Sequence, residues 1–547
     1  MLLFLIFSLF IILSYIIYNK NKKKRLSSNI SQYDHAIIIG GSFAGIITAV
    51  YLTKYFKKIT IIESDDVLND KLMKSTPEEI MNNRCYLESP TSLGRTGVPH
   101  IYQPHILPIE GQNILKELFP NLFSDLLDQY NICQYSLNHG AKFVINNVTL
   151  NENLTEKIHY FAIDRFILEI VLRKYLCSKY EEQIQWKCNS KVIQLLTDSS
   201  LNLVQGVKYR LKQTFVDIYG DFIIDCTGQY SSSIKWLKNS FNLYIPSEQI
   251  HFGCGYLSFI GERFTTNNSS LDSLYLFVHT ANVPLNNIGC YIAPISVIKK
   301  TNENSLGILS SVGINSNNYE HPPSDSFEDL LEWIKDKISV ECYMILKSIK
   351  VFSPLISYKR GMDYRKYVEI LGKKWPKNFI LLGDSMCAFD PQFGQGITHI
   401  CRQAKELNKI FEENSSELKD ISHIYNSRAS KISDECWIAS TASNWKTSTL
   451  KVIRTNQYGE TKIFRRNENF SNSSKEYQLK TPFLIKFMQW YNYWLLHCAS
   501  KSGKLSTEFL YVINQHKNPI VLFKPTTFFS VCFASFMSYF HLSKKHA

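Results

Sequence analysis

No two cysteines in this chain are spaced CxxC, and no group of Cys and His has the spacing of a zinc site. That excludes a thioredoxin-type redox motif and a zinc-stapled module. The 13 cysteines are odd in number and scattered from Cys85 to Cys532, as in a protein that faces the cytosol with its thiols reduced and mostly buried. Asp, Glu, Lys and Arg make up 20% of residues, ordinary for a packed globular protein, which excludes disorder. The net charge is +13, but Lys20, Lys22, Lys23, Lys24, Arg25, Lys544 and Lys545 lie at the two ends; without these seven cations it falls to +6. A charge so diluted excludes a nucleic-acid groove, so no nucleic-acid partner is expected. No repeat of 20–50 residues occurs, which excludes solenoids and propellers. What is present is 45% hydrophobic residues over 547 positions, enough for about three domains or one large composite one.

The N-terminus, Met1 to Tyr18, carries no charged side chain. Eighteen helical residues span about 27 Å, close to a bilayer's hydrocarbon thickness. The basic cluster follows the apolar run instead of preceding it, and a small-residue cleavage site is missing. The segment therefore reads as a single-pass transmembrane signal anchor (1–18) with a basic linker (19–33), leaving the catalytic part in the cytosol, at the endoplasmic reticulum. Near the other end Pro525 precedes a second apolar run, TTFFSVCFASFMSYFHL. It reads as a membrane contact or as a buried terminal helix.

From His35 the chain reads AIIIGGSFAGIITAVYLTKYFKKITIIESD. Strand Ala36–Ile39, a Gly turn, an amphipathic helix and strand Ile59–Ile62 ending in Glu63 form the context of a dinucleotide site. Gly40 permits the sharp turn and Gly45 a close helix–strand approach. The backbone N–H groups of Gly41, Ser42, Phe43 and Ala44 would meet a pyrophosphate at the helix start. Ser42 stands where the middle Gly of GxGxxG is usual. Glu63, 23 residues after Gly40, would accept ribose hydroxyls, which suits FAD or NAD and disfavours NADP at this position.

Two later segments carry a family resemblance. Asn378–Leu407, NFILLGDSMCAFDPQFGQGITHICRQAKEL, resembles the GD…P…GQG segment of the flavoprotein monooxygenase superfamily, whose members share the p-hydroxybenzoate hydroxylase-like fold. Asp221–Leu237, with Asp225-Cys226-Thr227-Gly228, resembles that superfamily's D-A-T-G segment, although NADPH-using hydroxylases usually carry Asp-Gly where this chain has Thr227-Gly228. Arg95–Leu118 and Ile163–Leu176 are similar to a subgroup of FAD-dependent oxidoreductases. The resemblance implies that Asp384 binds the ribityl chain and that Pro391, Gly394, Gln395 and Gly396 lie against the isoalloxazine. It also implies that Gly228 closes the FAD sheet, that Arg165 approaches the pyrophosphate and that Arg95 meets the ribose or diphosphate. His105 is a weak catalytic candidate, and no metal site is expected.

The implied architecture is α/β. A discontinuous Rossmann-like FAD-binding domain covers 34–245 plus 355–420, an antiparallel substrate-domain sheet 246–354, and a helical C-terminal region 421–547. Stretches such as HFGCGYLSFI and SLYLFVHT read as strands roofing a substrate cavity, with Phe252 and Tyr256 on one face and Tyr275 and Phe277 on another. The implied function is an FAD-dependent monooxygenase, a hydroxylase or epoxidase using reduced FAD and O2 on a lipophilic small molecule at a membrane surface. The electrons would come from NADPH or NADH, directly or through a separate reductase. Two alternatives stay open: an FAD-dependent reductase or dehydrogenase of a prenyl or polyene substrate, and a non-catalytic flavin-fold binding protein. A flavin halogenase is a branch of the first reading, but its WxWxIP signature is missing; Trp490 and Trp494 are the closest Trp pair.

Overall fold

The computed structural model describes residues 33–85, 95, 98, 101–161, 163–297, 305–414, 418–466 and 476–543. The expected anchor at 1–18, most of the basic linker, and Lys544 and Lys545 lie outside the described residues. Among the described residues no helix is long and apolar enough to cross a membrane.

Five parallel strands form the central sheet. They are β1 (Tyr33–Ile39), β2 (Phe56–Ile62), β3 (Ile184–Lys187), β4 (Phe222–Asp225) and β5 (Phe379–Leu381), in the order β5-β4-β1-β2-β3. The buried runs Ala36–Ile39, Ile59–Ile62 and Phe222–Ile224 of the inner strands follow from cover on both faces, as parallel sheets require, while the edge strand β3 is partly exposed. Helix α1 (Phe43–Leu52) connects β1 to β2 and is buried at every one of its residues. The amphipathic helix expected here is thus apolar all round, because it is covered by the sheet on one side and by α3 (Gly396–Glu413) on the other. Helix α2 (Arg165–Lys179) also packs on α1, and the Asp164 carboxylate caps it by accepting the Phe166 N–H.

The second layer is an eight-stranded sheet around Gly255–Phe264, Ser305–Ser316 and Ile288–Val297, which run antiparallel in sequence. It extends beyond 246–354. Leu276–His279 recruits Ala141–Ile145 in parallel, and Ile356–Lys359 joins the far side. The stretch HFGCGYLSFI is not one strand: His251 ends a strand of another sheet, Phe252–Cys254 pair in neither, and the roof strand starts at Gly255. Ser247–His251 belongs to a six-stranded sheet and Gly255–Phe264 to the roof. The break falls at Gly253, whose φ is +67° and whose missing Cβ leaves room for Tyr319.

After α4 (Ile421–Asn444), strands Lys451–Thr455 and Thr461–Arg465 form a hairpin on the six-stranded sheet. The C-terminal region is therefore not wholly helical. Helices α5 (Phe483–Lys501), α6 (Gly503–Ile513) and α7 (Pro525–Ser543) follow. Tyr491, Leu495, Leu496, Leu505 and Leu510 of this unit share a core with Ala141, Leu276 and Ala293 of the roof sheet.

Candidate active site

Three stretches distant in sequence meet at the C-terminal ends of β1, β4 and β5, where ligands of open α/β sheets bind. At the first, Gly40 has φ +102°, and a Cβ there would strike the Cys226 carbonyl at 2.7 Å. A Cβ on Gly45 would overlap the Gly40 carbonyl, so α1 can approach the turn only with glycine at that position. Ser42 is the N-cap of α1, yet its side chain makes no cap hydrogen bond. Its Oγ instead donates to Glu169 Oε2 at 2.7 Å and receives Arg165 Nη2 at 3.3 Å. The first N–H groups of α1 are thereby left for a ligand, and Ser42, Phe43 and Ala44 line a cavity of about 200 Å³.

Beside this turn is a buried cluster of acids and arginines. Arg95 reaches Asp65 at 3.1 Å, Glu63 at 3.4 Å and Glu169 at 3.0 Å. Arg173 closes on Glu169 at 2.5 Å. Burial works against the Glu169 charge, but Arg95, Arg173 and Arg165 outweigh it and hold the carboxyl down at about 2. Glu63 Oε2 accepts the Gly41 N–H at 2.8 Å, so the acid ending β2 is held against the glycine turn.

The second and third stretches are tied together by Ser385. Its Oγ accepts the Gly228 N–H at 2.8 Å and donates to Asp225 Oδ1 at 3.3 Å. Asp384, Thr227, Gly228, Pro391, Gly394 and Gly396 line the same cavity as Ser42 and Arg165. Gly394 has φ +64° and sits against Ile106. Helix α3 begins here with no side-chain cap, a second open helix N-terminus on the cavity. Burial raises the Asp384 carboxyl, with Arg360, Arg165 and Lys366 drawing it back. Lys366 itself is lowered to about 8 by burial and donates to the Ser385 carbonyl at 2.6 Å.

The opposite wall is aromatic and polar. Tyr256, Tyr291 and Tyr358 line it, with Asn315 and Arg360 among them, while Phe389 and Gln392 reach the cavity from the loop before the Gly394–Gly396 turn. The Tyr256 hydroxyl donates to Asp390 Oδ1 at 2.5 Å, and Gln392 donates to Asp390 Oδ2 at 2.9 Å. Arg360 Nε donates to Asp363 Oδ1 at 3.2 Å, and Asn444 Nδ2 donates to Asp363 Oδ2 at 3.1 Å. Burial pushes Asp363 up to about 7, against the pull of Arg360.

Of the residues singled out from the sequence, Ser42, Phe43, Ala44, Arg165, Gly228, Asp384, Pro391, Gly394 and Gly396 line this cavity. Gly40, Gly41, Gly45 and Glu63 do not, the Gly41 N–H being donated to Glu63 and not left for a pyrophosphate. There are three further differences. Arg95 is turned into the acid cluster and holds Glu63 and Asp65 instead of lining the cavity. Gln395 lines a neighbouring cleft instead of this cavity, and its carbonyl accepts Gln515 Nε2 there at 3.2 Å. Of the expected aromatic faces only Tyr256 reaches the cavity. Phe252 precedes the roof strand in the main core, Phe277 is core, and Tyr275 donates to the Ser136 carbonyl. His105 does line the cavity. Its Nδ1 lies 2.5 Å from the Gln103 carbonyl and Nε2 lies 3.4 Å from Arg165, and burial lowers its pKa to about 3, so the ring is neutral. Sequence reasoning missed Glu169, Arg360, Asp363 and Asp390. Glu169 was findable, being four residues from both Arg165 and Arg173. Asp390 stands within the quoted DPQFGQG run. Arg360 and Asp363 carry no local signal.

These residues fit FAD. Two open helix starts, a partly buried carboxylate at Asp384, and the buried Arg165 Nε, which has no hydrogen-bond partner, meet in one cavity. The comparisons point the same way. The tryptophan halogenase family model matches residues 356–438. "Protein Rv3254" of Mycobacterium tuberculosis is 22% identical over 432 residues, 74% of this chain and 79% of that protein. The flavin-dependent brominase Bmp2 superposes with a TM-score of 0.56 at 13% identity, covering 94% of this chain and 100% of its own. PqsL of Pseudomonas aeruginosa, described as a probable FAD-dependent monooxygenase, gives 0.51 at 11% identity over 76% of this chain and 97% of its own. The resemblance to the flavoprotein monooxygenase superfamily is thus borne out. The chain has the fold of flavin-dependent halogenases and monooxygenases, and the likeness supports an FAD-dependent oxidoreductase.

Proposed function

We propose that this protein is an FAD-dependent monooxygenase that hydroxylates or epoxidises a lipophilic small molecule, with FAD reduced by NADPH or NADH directly or through a separate reductase. The observation that carries the reading is one cavity with two unlike walls. One is built from the dinucleotide turn, Asp384 and the Gly394–Gly396 turn; the other is built from Tyr256, Tyr291 and Tyr358 of the roof side. When bound, FAD supplies two-electron transfer and oxygen activation. The chain's own residues bind, orient and shield. The open N–H groups of α1 and Arg165 suit a diphosphate, and Asp384 suits a polyol hydroxyl. Phe389, Ile397 and Ile400 add apolar surface that excludes water from the reacting face. Tyr256 keeps its proton on a short hydrogen bond to Asp390, which gives the substrate wall a fixed polar point among aromatic groups. An electron-rich ring or an alkene with one polar substituent suits this wall.

Halogenation is the second reading, favoured by the family match over 356–438 and by the brominase fold. The two readings part on halide dependence.

The test is anaerobic. The full chain is purified, its flavin spectrum recorded, and NADPH and NADH are added separately. Bleaching of the yellow colour identifies a protein that accepts hydride itself. Persistent colour that bleaches on adding a flavin reductase identifies a two-component system. Oxygen uptake with candidate lipophilic substrates then separates oxygenation from bromide- or chloride-dependent product. Failure to bind FAD at all overturns the reading.

A further inference from the structure

The outer side of α7 is apolar where a water-facing helix should be polar. Phe529 and Phe533 are 70% and 63% exposed and Met537 is 39% exposed, at i, i+4 and i+8 on one helical face. Helix α5 runs alongside: Trp490 Nε1 donates to Ser535 Oγ at 3.3 Å, and Cys498 lies 3.7 Å from the Ser530 carbonyl. On the flank of α5, Trp490 and Tyr493 are partly exposed and share a face with Lys486 and Lys501. From 480 to 547 the chain holds eight lysines and one acid, Glu508. An apolar stripe fringed by Trp, Tyr and Lys is the composition of a helix lying in a membrane interface, where the aromatics sit at headgroup level and the ammonium groups reach anionic lipid.

We propose that α7 and the adjoining flank of α5 form a monotopic docking face for an anionic bilayer surface, with Phe529, Phe533 and Met537 entering the acyl boundary. The charge balance selects the occupant. A second copy of this chain would bring its own lysines against these, whereas an anionic bilayer neutralises them. The apolar run Met1–Tyr18, followed by its basic cluster, supplies a second contact with the same kind of surface. The face also stands behind the substrate cavity. Tyr491 stacks between Phe523 and Phe528, this core continues to Ala293 of the roof sheet, and Tyr291 of that strand lines the cavity. On the other side of the unit, Gln515 Nε2 donates to the Gln395 carbonyl beside the Gly394–Gly396 turn at 3.2 Å. Docking therefore brings a bilayer to the element that buttresses both cavity walls. The inference stands apart from the reaction catalysed.

The experiment uses the full chain with its N-terminal run disabled by Leu5→Glu, Leu9→Glu, Ile12→Glu and Ile16→Glu. It is co-sedimented with vesicles of phosphatidylcholine alone and of phosphatidylcholine with phosphatidylserine. Expected is sedimentation on the phosphatidylserine vesicles, weakened about tenfold or more by high salt or by omitting the anionic lipid. Phe529→Ser with Phe533→Ser and Met537→Ser should release it, with flavin content and melting temperature unchanged. Hydrogen exchange of residues 525–537 is followed in parallel on the unsubstituted stripe, and slowed exchange on vesicles is expected. The proposal is overturned if the disabled chain stays in the supernatant or if the stripe variant binds equally. It is overturned equally if exchange does not change on vesicles, if disabling the N-terminal run alone speeds exchange, or if the stripe substitutions dissociate a dimer.

Discussion

The hydroxyl of Tyr256 donates to the buried carboxylate of Asp390 at 2.5 Å, across 134 residues of sequence. This bond joins the roof sheet to the loop that carries Pro391 and Gly394, and so fixes the aromatic wall of the cavity against the side of the glycine turn. Tyr256→Phe leaves Asp390 with one donor fewer in a buried setting, a cost of about 1–3 kcal/mol. A lower melting temperature with unchanged flavin content is expected, read by calorimetry and absorbance.

Asp384 places a carboxylate in the cavity between Arg165 and Arg360. If it holds a ribityl hydroxyl, Asp384→Ala removes a charge-assisted hydrogen bond of about 1.5–3 kcal/mol and weakens FAD binding roughly tenfold or more. Titrating the apoprotein with FAD measures this. Equal affinity in the variant would sink the assignment.

Glu169 ties Arg95, Arg165 and Arg173 together. Glu169→Gln breaks a buried ion cluster and should cost about 3–5 kcal/mol near neutral pH. The Glu169 pKa is depressed in the fold, to about 2. Its contribution is therefore present above the unfolded value, about 4.3, and is lost as pH falls through the folded one. Urea unfolding of parent and variant should show the gap closing between those limits.

His105 is held neutral by burial and by the Arg165 guanidinium, with a pKa of about 3. A pH–rate profile should show no limb near 6.5 that His105→Asn removes. A limb that vanishes in the variant would show that the ring titrates during turnover.

Gly45 lies against the Gly40 carbonyl. Gly45→Val pushes α1 off β1, and both flavin content and soluble yield should fall. A variant that binds FAD at parental affinity would remove the close approach from the account of the site.

The βαβ unit, Glu63, Asp384 and the Gly394–Gly396 turn were legible in the chain because each depends on near neighbours. Strand apolarity, a glycine at a positive φ and an acid at a strand end are properties of a few consecutive residues. The course of Arg95 was not legible, since it depends on Glu63, Asp65 and Glu169 arriving from two other elements. Nor was the break after His251 in HFGCGYLSFI, because alternation in sequence does not say where one sheet ends and the next begins.

The sequence by itself determined the dinucleotide turn, the flavin-side motifs and the apolar, lysine-fringed ends, since short-range sterics and side-chain period govern all of them. Only the tertiary structure decided which aromatic residues face the cavity, which arginine faces it and which is buried among acids, and which side of α7 meets solvent. Those outcomes are set by pairings between residues tens to hundreds of positions apart, where burial of one partner is stable only when the other supplies its charge, hydrogen bond or shape.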